Sequence, residues 1–199
     1  MKDTRENILL VSLRLFAKNG YEAVSVSQIA GELGLTKGAL YRHYANKQAI
    51  FESILEEMER MDAQRARDFD VPEGTAQDMP QDYELTTPRA LCAFAKAQFR
   101  YWAEDDFAAP FRKMLTVEQY RSEEMAALYQ QYLAGGPLGY VRDLLEAMGF
   151  ADARGEAIAF YAPLLAMLAV YDGTENKRAI VQDVDVFYDN WLKRIEKRE

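Results

Sequence analysis

At 199 residues, with 49% hydrophobic and 12% aromatic side chains, the chain can bury a sizeable core in one large domain or two modest ones, which excludes global disorder. A single cysteine, Cys92, excludes an intrachain disulfide framework and any multi-cysteine zinc site. The formal charge of −8 is unevenly spread: residues 1–50 hold seven Lys/Arg against four Asp/Glu (+3), and the remainder holds 17 against 28 (−11). An acidic protein is no general polyanion binder, but a basic head on an acidic body can bind nucleic acid locally. The sole histidine, His43, removes the usual metal clusters and most nucleophile–histidine triads, so no metal, cofactor or catalytic residue is expected. The start "MKDTRENILL" lacks the apolar core and cleavage site of a secretory signal. The uncharged, mostly apolar run 157–171 is shorter than the ~20 residues of a bilayer span and contains Pro163. A cytoplasmic chain without a membrane segment is expected.

Helical periodicity runs through almost the whole sequence and no strand pattern competes with it, so the fold class is all-α. Ile8, Val11 and Leu15, with Leu9 and Phe16, supply the apolar face of a first helix that Asn19-Gly20 ends. A second helix starts at Ser25, where Ser25 and Gln28 fit a capping box, and runs to about residue 33. Thr36 caps a short third helix ending near residue 44, and Asn46 caps a fourth that reaches about residue 67. Residues 69–88 carry three prolines and many acids and read as a surface loop. Further helices are predicted over 88–103, 107–119, 123–133 and 137–148, with "AGGP" as the break before the last, then over 152–171 and 174–197. Pro163 inside the first of the two closing helices predicts a kink, which would serve packing or bend the helix around a ligand.

Residues 25–44 have helix–turn–helix proportions, and Gly34 suits a turn that needs positive φ. Ile29, Ala30, Leu33, Leu35, Leu40 and Tyr44 form the core between the two helices. With Leu40 and Tyr44 turned inward, Lys37, Gly38, Tyr41 and Arg42 fall on the open side of the Thr36-capped helix. Two cations, an amphipathic ring and a position without a side chain suit contact with phosphates, thymine methyls and a closely approached major groove. Ser25 at a helix start, Ser27, His43 and Lys47 flank that surface as candidate clamps on the phosphate backbone.

The stretch "ILLVSLRLFAKNGYEAVSVSQIAGELGLTKGALYRHYANKQAIF" resembles the N-terminal domain of the TetR (tetracycline-repressor-like) transcriptional regulators, over about the first quarter of the chain. Tyr44 stands where phenylalanine is commonest in that family, and Ser25 where threonine is frequent. The resemblance implies that Ser25, Lys37, Gly38, Tyr41, His43 and Lys47 contact DNA. It implies a helix–turn–helix DNA-binding domain over 1–48 and an effector-binding and dimerisation domain over 49–199. It also implies that residues 88–171 enclose an effector cavity, with Phe94, Gln98, Trp102, Phe111, Met114, Leu115, Tyr132 and Tyr161 as candidate lining residues. Aromatics among acids suit a lipophilic or cationic effector.

The last two helices carry wide apolar stripes that include Tyr161, Leu165, Leu168, Val184, Phe187, Tyr188, Trp191 and Leu192, more than one core face needs. In the family these helices form a four-helix interface between two subunits. The expected protein is therefore a homodimeric repressor that reads a near-palindromic operator in double-stranded DNA and is released by a small-molecule effector. An all-helical adaptor for protein partners and an enzyme are the rivals. The adaptor would show no salt-sensitive duplex binding, and the enzyme has no glycine-rich phosphate loop or paired-carboxylate motif to work with.

Overall fold

A computed structural model describes residues 4–197, so residues 1–3 and 198–199 at the ends of the two expected domains lie outside it. Among the described residues the secondary structure is all helical: α1 (Thr4–Asn19), α2 (Val26–Glu32), α3 (Lys37–Tyr41), α4 (Lys47–Asp68), α5 (Pro80–Leu85), α6 (Pro88–Glu104), α7 (Ala108–Glu118), α8 (Glu123–Leu133), α9 (Gly135–Ala147), α10 (Ala153–Gly173) and α11 (Lys177–Glu196). They pack as two compact units. Within the described residues the first holds 4–61 and 106–129, the second 62–105 and 130–197.

In the first unit α1 packs on both α2 and α7. Its buried face is Ile8, Leu9, Leu10, Ser12, Leu13 and Phe16, whereas Val11 and Leu15, expected on that face, are only half-buried. The difference has a physical cause. A helix covered on two sides buries a wider arc than a single stripe, and the covering α7 lies some ninety residues away in sequence, beyond the reach of local periodicity. Phe111, Met114 and Leu115 on α7 are fully buried, and Arg14 pairs with Asp106 at 2.9 Å. Gly20 ends α1 with φ +87°, its N–H donating to Phe16 O at 2.9 Å.

In the second unit α10 packs against α6, α9 and α11. Phe160 lies 4.8 Å from both Tyr188 and Trp191, and the buried Tyr188 hydroxyl donates to Phe160 O at 3.2 Å. Three ion pairs tie α6 to α11: Arg89–Glu196 at 2.7 Å, Lys96–Asp189 at 2.5 Å and Arg100–Asp185 at 2.5 Å. By length and composition α10 is the one described helix that could cross a membrane. Here it is a packed helix of this unit, and it continues through Pro163, where one ladder hydrogen bond is missing.

The segment 69–88 is more ordered than the loop its composition predicts. It contains α5, packed on α9, and it buries Val71, Pro72, Tyr83 and Thr86. Tyr83 donates to Gly74 O and Tyr140 to Pro72 O, each at 3.0 Å, so two phenols pin the prolines and glycine down. α9 begins at Gly135, inside "AGGP" and not after it. Pro137 fits there because first-turn N–H groups have no helical partner to lose. α11 begins at Lys177, three residues later than predicted, because Asn176 is the cap, its Oδ1 accepting from Ala179 N at 3.2 Å.

Gly34 also has positive φ, +66°, but a Cβ there would meet nothing within 4 Å. A Cβ on Gly20 would lie 2.6 Å from Arg121 Nη1 and 2.8 Å from Glu118 Oε1. Gly34→Ala should therefore cost only the left-handed backbone penalty of about 1–2 kcal/mol, and Gly20→Ala should lower the melting temperature further. Equal losses by thermal denaturation would mean that Arg121 and Glu118 move aside freely.

Candidate nucleic-acid interface

Short-range hydrogen bonds set the geometry of residues 25–44. Ser25 Oγ accepts from Gln28 N at 3.2 Å while Gln28 Oε1 accepts from Ser25 N at 2.7 Å, a reciprocal capping box. At the other end of α2, Leu35 N donates to Ala30 O at 2.8 Å and Gly34 N to Gly31 O at 3.1 Å. These are the two bonds of a Schellman motif, with Gly34 as its left-handed residue. Thr36 follows at once and caps α3, its Oγ1 accepting from Ala39 N at 3.1 Å. Asn46 Oδ1 accepts from Ala49 N at 2.8 Å to cap α4.

This frame buries Ile29, Ala30, Leu40 and Tyr44 and leaves Leu33 and Leu35 half-buried. Lys37, Gly38, Tyr41 and Arg42 are exposed together, with Tyr41 at 44% and Lys37 Nζ 5.7 Å from the Tyr41 ring centroid. Ser25, Ser27 and Thr36 are exposed and His43 is half-buried. α3 ends at Tyr41, so Arg42 and His43 lie on its closing turn, where His43 N and Tyr44 N both donate to Leu40 O. Gly38 is a helix residue whose added Cβ would meet nothing within 4 Å.

Lys47, expected as a clamp on the phosphate backbone, has its ammonium against Tyr21 and Glu22. Its Nζ donates to Tyr21 O at 2.8 Å and Glu22 O at 3.4 Å, lies 3.6 Å from the Glu22 carboxylate, and sits 4.2 Å from the Tyr21 ring centroid. Tyr21 is the residue sequence reading missed. Its ring lies 5.0 Å from both Phe16 and Phe51, and its hydroxyl donates to Gln48 Oε1 at 2.9 Å. Burial, reinforced by Glu22, pushes the phenol up to about 12. An aromatic directly after a helix-ending glycine commonly folds back on the last turn, and that signal was present in "NGY".

The effector-site candidates divide between the units. Phe111, Met114 and Leu115 lie in the core of the first; Phe94, Gln98, Trp102, Tyr132 and Tyr161 belong to the second. Phe94 lies 6.0 Å from Phe69 and 6.4 Å from Tyr140, Gln98 Oε1 accepts from Arg65 Nη2 at 3.2 Å, and Trp102 is buried beside Tyr101. Tyr132 is buried, and Tyr161 donates to Leu133 O at 2.7 Å. Of the dimer candidates, Leu168, Val184, Tyr188 and Trp191 are buried within the chain, Tyr188 and Trp191 against Phe160 of α10. Tyr161, Leu165, Phe187 and Leu192 are half-buried, and Ile158, Val170 and Val186 are exposed.

An all-helical chain with a capped helix–turn–helix near its N-terminus defines the class: a helix–turn–helix protein. Residues 8–54 match the family model "Bacterial regulatory proteins, tetR family". The chain thus carries a TetR-family N-terminal domain, and its whole fold is that of the TetR-family regulators. The uncharacterized HTH-type transcriptional regulator YerO of Bacillus subtilis is 43% identical over 56 residues, 28% of this chain; the match spans only 19% of that relative's length. The TetR family transcriptional regulator PfmR of Thermus thermophilus superposes with a TM-score of 0.64 at 24% identity, covering 96% of this chain and 97% of that one. SmeT, the repressor of the Stenotrophomonas maltophilia multidrug efflux pump SmeDEF, superposes at 0.61 and 20% identity over 97% of this chain and 90% of its own. SmeT also has a structure in complex with triclosan.

Two measurements test these local assignments. Lys47→Met should lower the melting temperature and weaken duplex binding together, since the ammonium closes the turn after α1; loss of binding at unchanged stability would make it the expected clamp on the phosphate backbone. Asp62 on α4 is held up to about 6 from its ordinary 3.8 by burial, against the pull of Arg65. The folded state then binds more protons than the unfolded one between those values, so this group's contribution weakens as pH rises from about 4 to about 6. Asp62→Asn should accordingly raise stability at pH 8, by at most about 3 kcal/mol for a shift of that size, with the advantage vanishing near pH 4 in thermal melts.

Proposed function

We propose that the chain is a homodimeric, sequence-specific DNA-binding transcriptional regulator, a repressor released from a near-palindromic operator by a small-molecule effector. Residues 1–48 read the duplex, and residues 49–199 hold the effector and the partner subunit. One observation carries this reading: Gly38 lies exposed on α3 between Lys37 and Tyr41, and no internal contact requires a glycine there. Gly38 sits in the first turn of α3, and glycine is a poorer helix former than alanine, so its use at that point fits a surface that must approach something external very closely. A major groove is such a partner. Lys37 and Arg42 supply charge for phosphates or base edges, Tyr41 an amphipathic ring, and the exposed Ser25, Ser27 and Thr36 hydroxyls, with His43, fix the register.

The outward face of α10 supports pairing of two copies. Ile158, Ala162, Ala166, Ala169 and Val170 are exposed at helical spacing, and Val186 on α11 is 56% exposed. A two-fold contact would bury this face against itself and place two α3 helices for two half-sites. SmeT's complex with triclosan favours a small lipophilic effector for this chain as well. Such a ligand shifts DNA affinity only through its differential affinity for the two states, on the order of 1–3 kcal/mol.

Selection of bound duplexes from a random pool should return a near-palindrome, with affinity falling steeply as salt rises. Gly38→Ala should raise stability by roughly 0.5–1 kcal/mol yet weaken binding to the selected duplex at least tenfold. Unchanged binding would remove the main support for α3 as the reading helix. Protein that binds no duplex at low salt would return the chain to the adaptor reading.

A further inference from the structure

Among the described residues the second unit has four buried side-chain polar atoms without hydrogen-bond partners, and two of them lie on one helix, α4. Asp62 and Arg65 lie one turn apart on α4, and both Asp62 Oδ1 and Arg65 Nε are buried with no hydrogen bond. Arg65 is held in place. Its Nη2 donates to Gln98 Oε1 at 3.2 Å, and its guanidinium carbon sits 4.0 Å from the Tyr101 ring centroid. The Nε–H direction is therefore fixed by contacts that turning the side chain would break. From this polar pair both helices continue into aromatic residues. One turn beyond Arg65, just past the end of α4, is Phe69, one turn back along α6 from Gln98 is Phe94, and their rings lie 6.0 Å apart, with Tyr140 6.4 Å from Phe94. Phe69, Phe94, Gln98 and Tyr140 are only half-buried.

An orphaned acceptor beside an orphaned donor is costly in a protein interior, and it specifies its complement. A lipophilic cation meets the fixed guanidinium as a like charge. A carboxylate suits Arg65 but meets Asp62 as a like charge. A neutral head group with a donor next to an acceptor satisfies both atoms. We propose that Asp62 and Arg65 are the polar end of the effector site and that the effector class is a neutral amphiphile with a carboxamide head. The amide N–H donates to Asp62 Oδ1, the amide oxygen accepts from Arg65 Nε–H, and the apolar tail runs along Phe69, Phe94 and Tyr140. This rests on the reading that the body binds an effector, and it replaces the cationic ligand expected from composition by a neutral one.

Calorimetric titration of the full chain with decanamide, decanoate and decyltrimethylammonium, three probes with one tail and different heads, tests the assignment. Decanamide should bind at least about tenfold more tightly than either ion, as sites built around a specific hydrogen-bonding pair discriminate. Asp62→Leu and Arg65→Met should each abolish that preference, while Asp62→Asn, which keeps an acceptor oxygen but removes the negative charge, should retain the preference over the cation and lose it over decanoate. An amide that binds no better than the ions, or a preference that survives in Asp62→Leu or Arg65→Met, overturns the proposal and leaves a bridging water as the occupant of the pair. The ligand comparison on the unaltered protein decides even if a variant fails to fold. Release of the selected duplex is measured alongside. Selective amide binding without release keeps the site and removes the regulatory reading, whereas release by other compounds with no amide binding does the reverse.

Discussion

The N-terminal unit depends on how Tyr21 is held. Its ring touches Phe16 from α1 and Phe51 from α4, its hydroxyl reaches Gln48, and its carbonyl accepts from the Lys47 ammonium that also covers its ring. One residue thereby joins the end of α1 to the first turns of α4. The capping box of α2 begins four residues later, so the entry of the helix–turn–helix is set by the same anchor. Both the ring and the carbonyl of Tyr21 engage the Lys47 ammonium, and Lys37 and Arg42 are exposed cations of the motif.

What the sequence made legible was local. The caps at Ser25, Thr36 and Asn46, the left-handed Gly34 and the inward Leu40 and Tyr44 all rest on interactions within a few residues, and each appears in the structure as read. What it hid was long-range. The burial of Leu10, Ser12 and Leu13 depends on α7, the lock at Lys47 depends on a residue 26 positions earlier, and the order of 69–88 depends on Tyr140 in α9. Composition overstated the freedom of that last segment, because two phenols outweigh its prolines and acids. The candidate site followed the same division. The exposed face of α3 could be read from helical geometry, whereas Phe111, Met114 and Leu115 could not be separated from the body by any pattern in the chain.

The second unit uses its apolar residues in two ways. Leu168, Val184, Tyr188 and Trp191 are buried within the chain. Those left outside, Ile158, Val170 and Val186 among alanines, stay exposed. Wide apolar stripes on the sequence therefore mix two populations. Only burial in the folded chain separates them.

The N-terminal unit is discontinuous in sequence, and this bears on synthesis. Its first stretch ends at residue 61, but α7 and the start of α8, which complete it, come from residues 106–129. A growing chain emerges N-terminal end first at about 5–20 residues per second, so α1 must wait several seconds before α7, which packs on it, is made. Intervening residues 62–105 are made in that interval and belong to the other unit. The head is thus finished only after part of the body exists, and a fragment ending at residue 61 would carry an unshielded sticky surface for good.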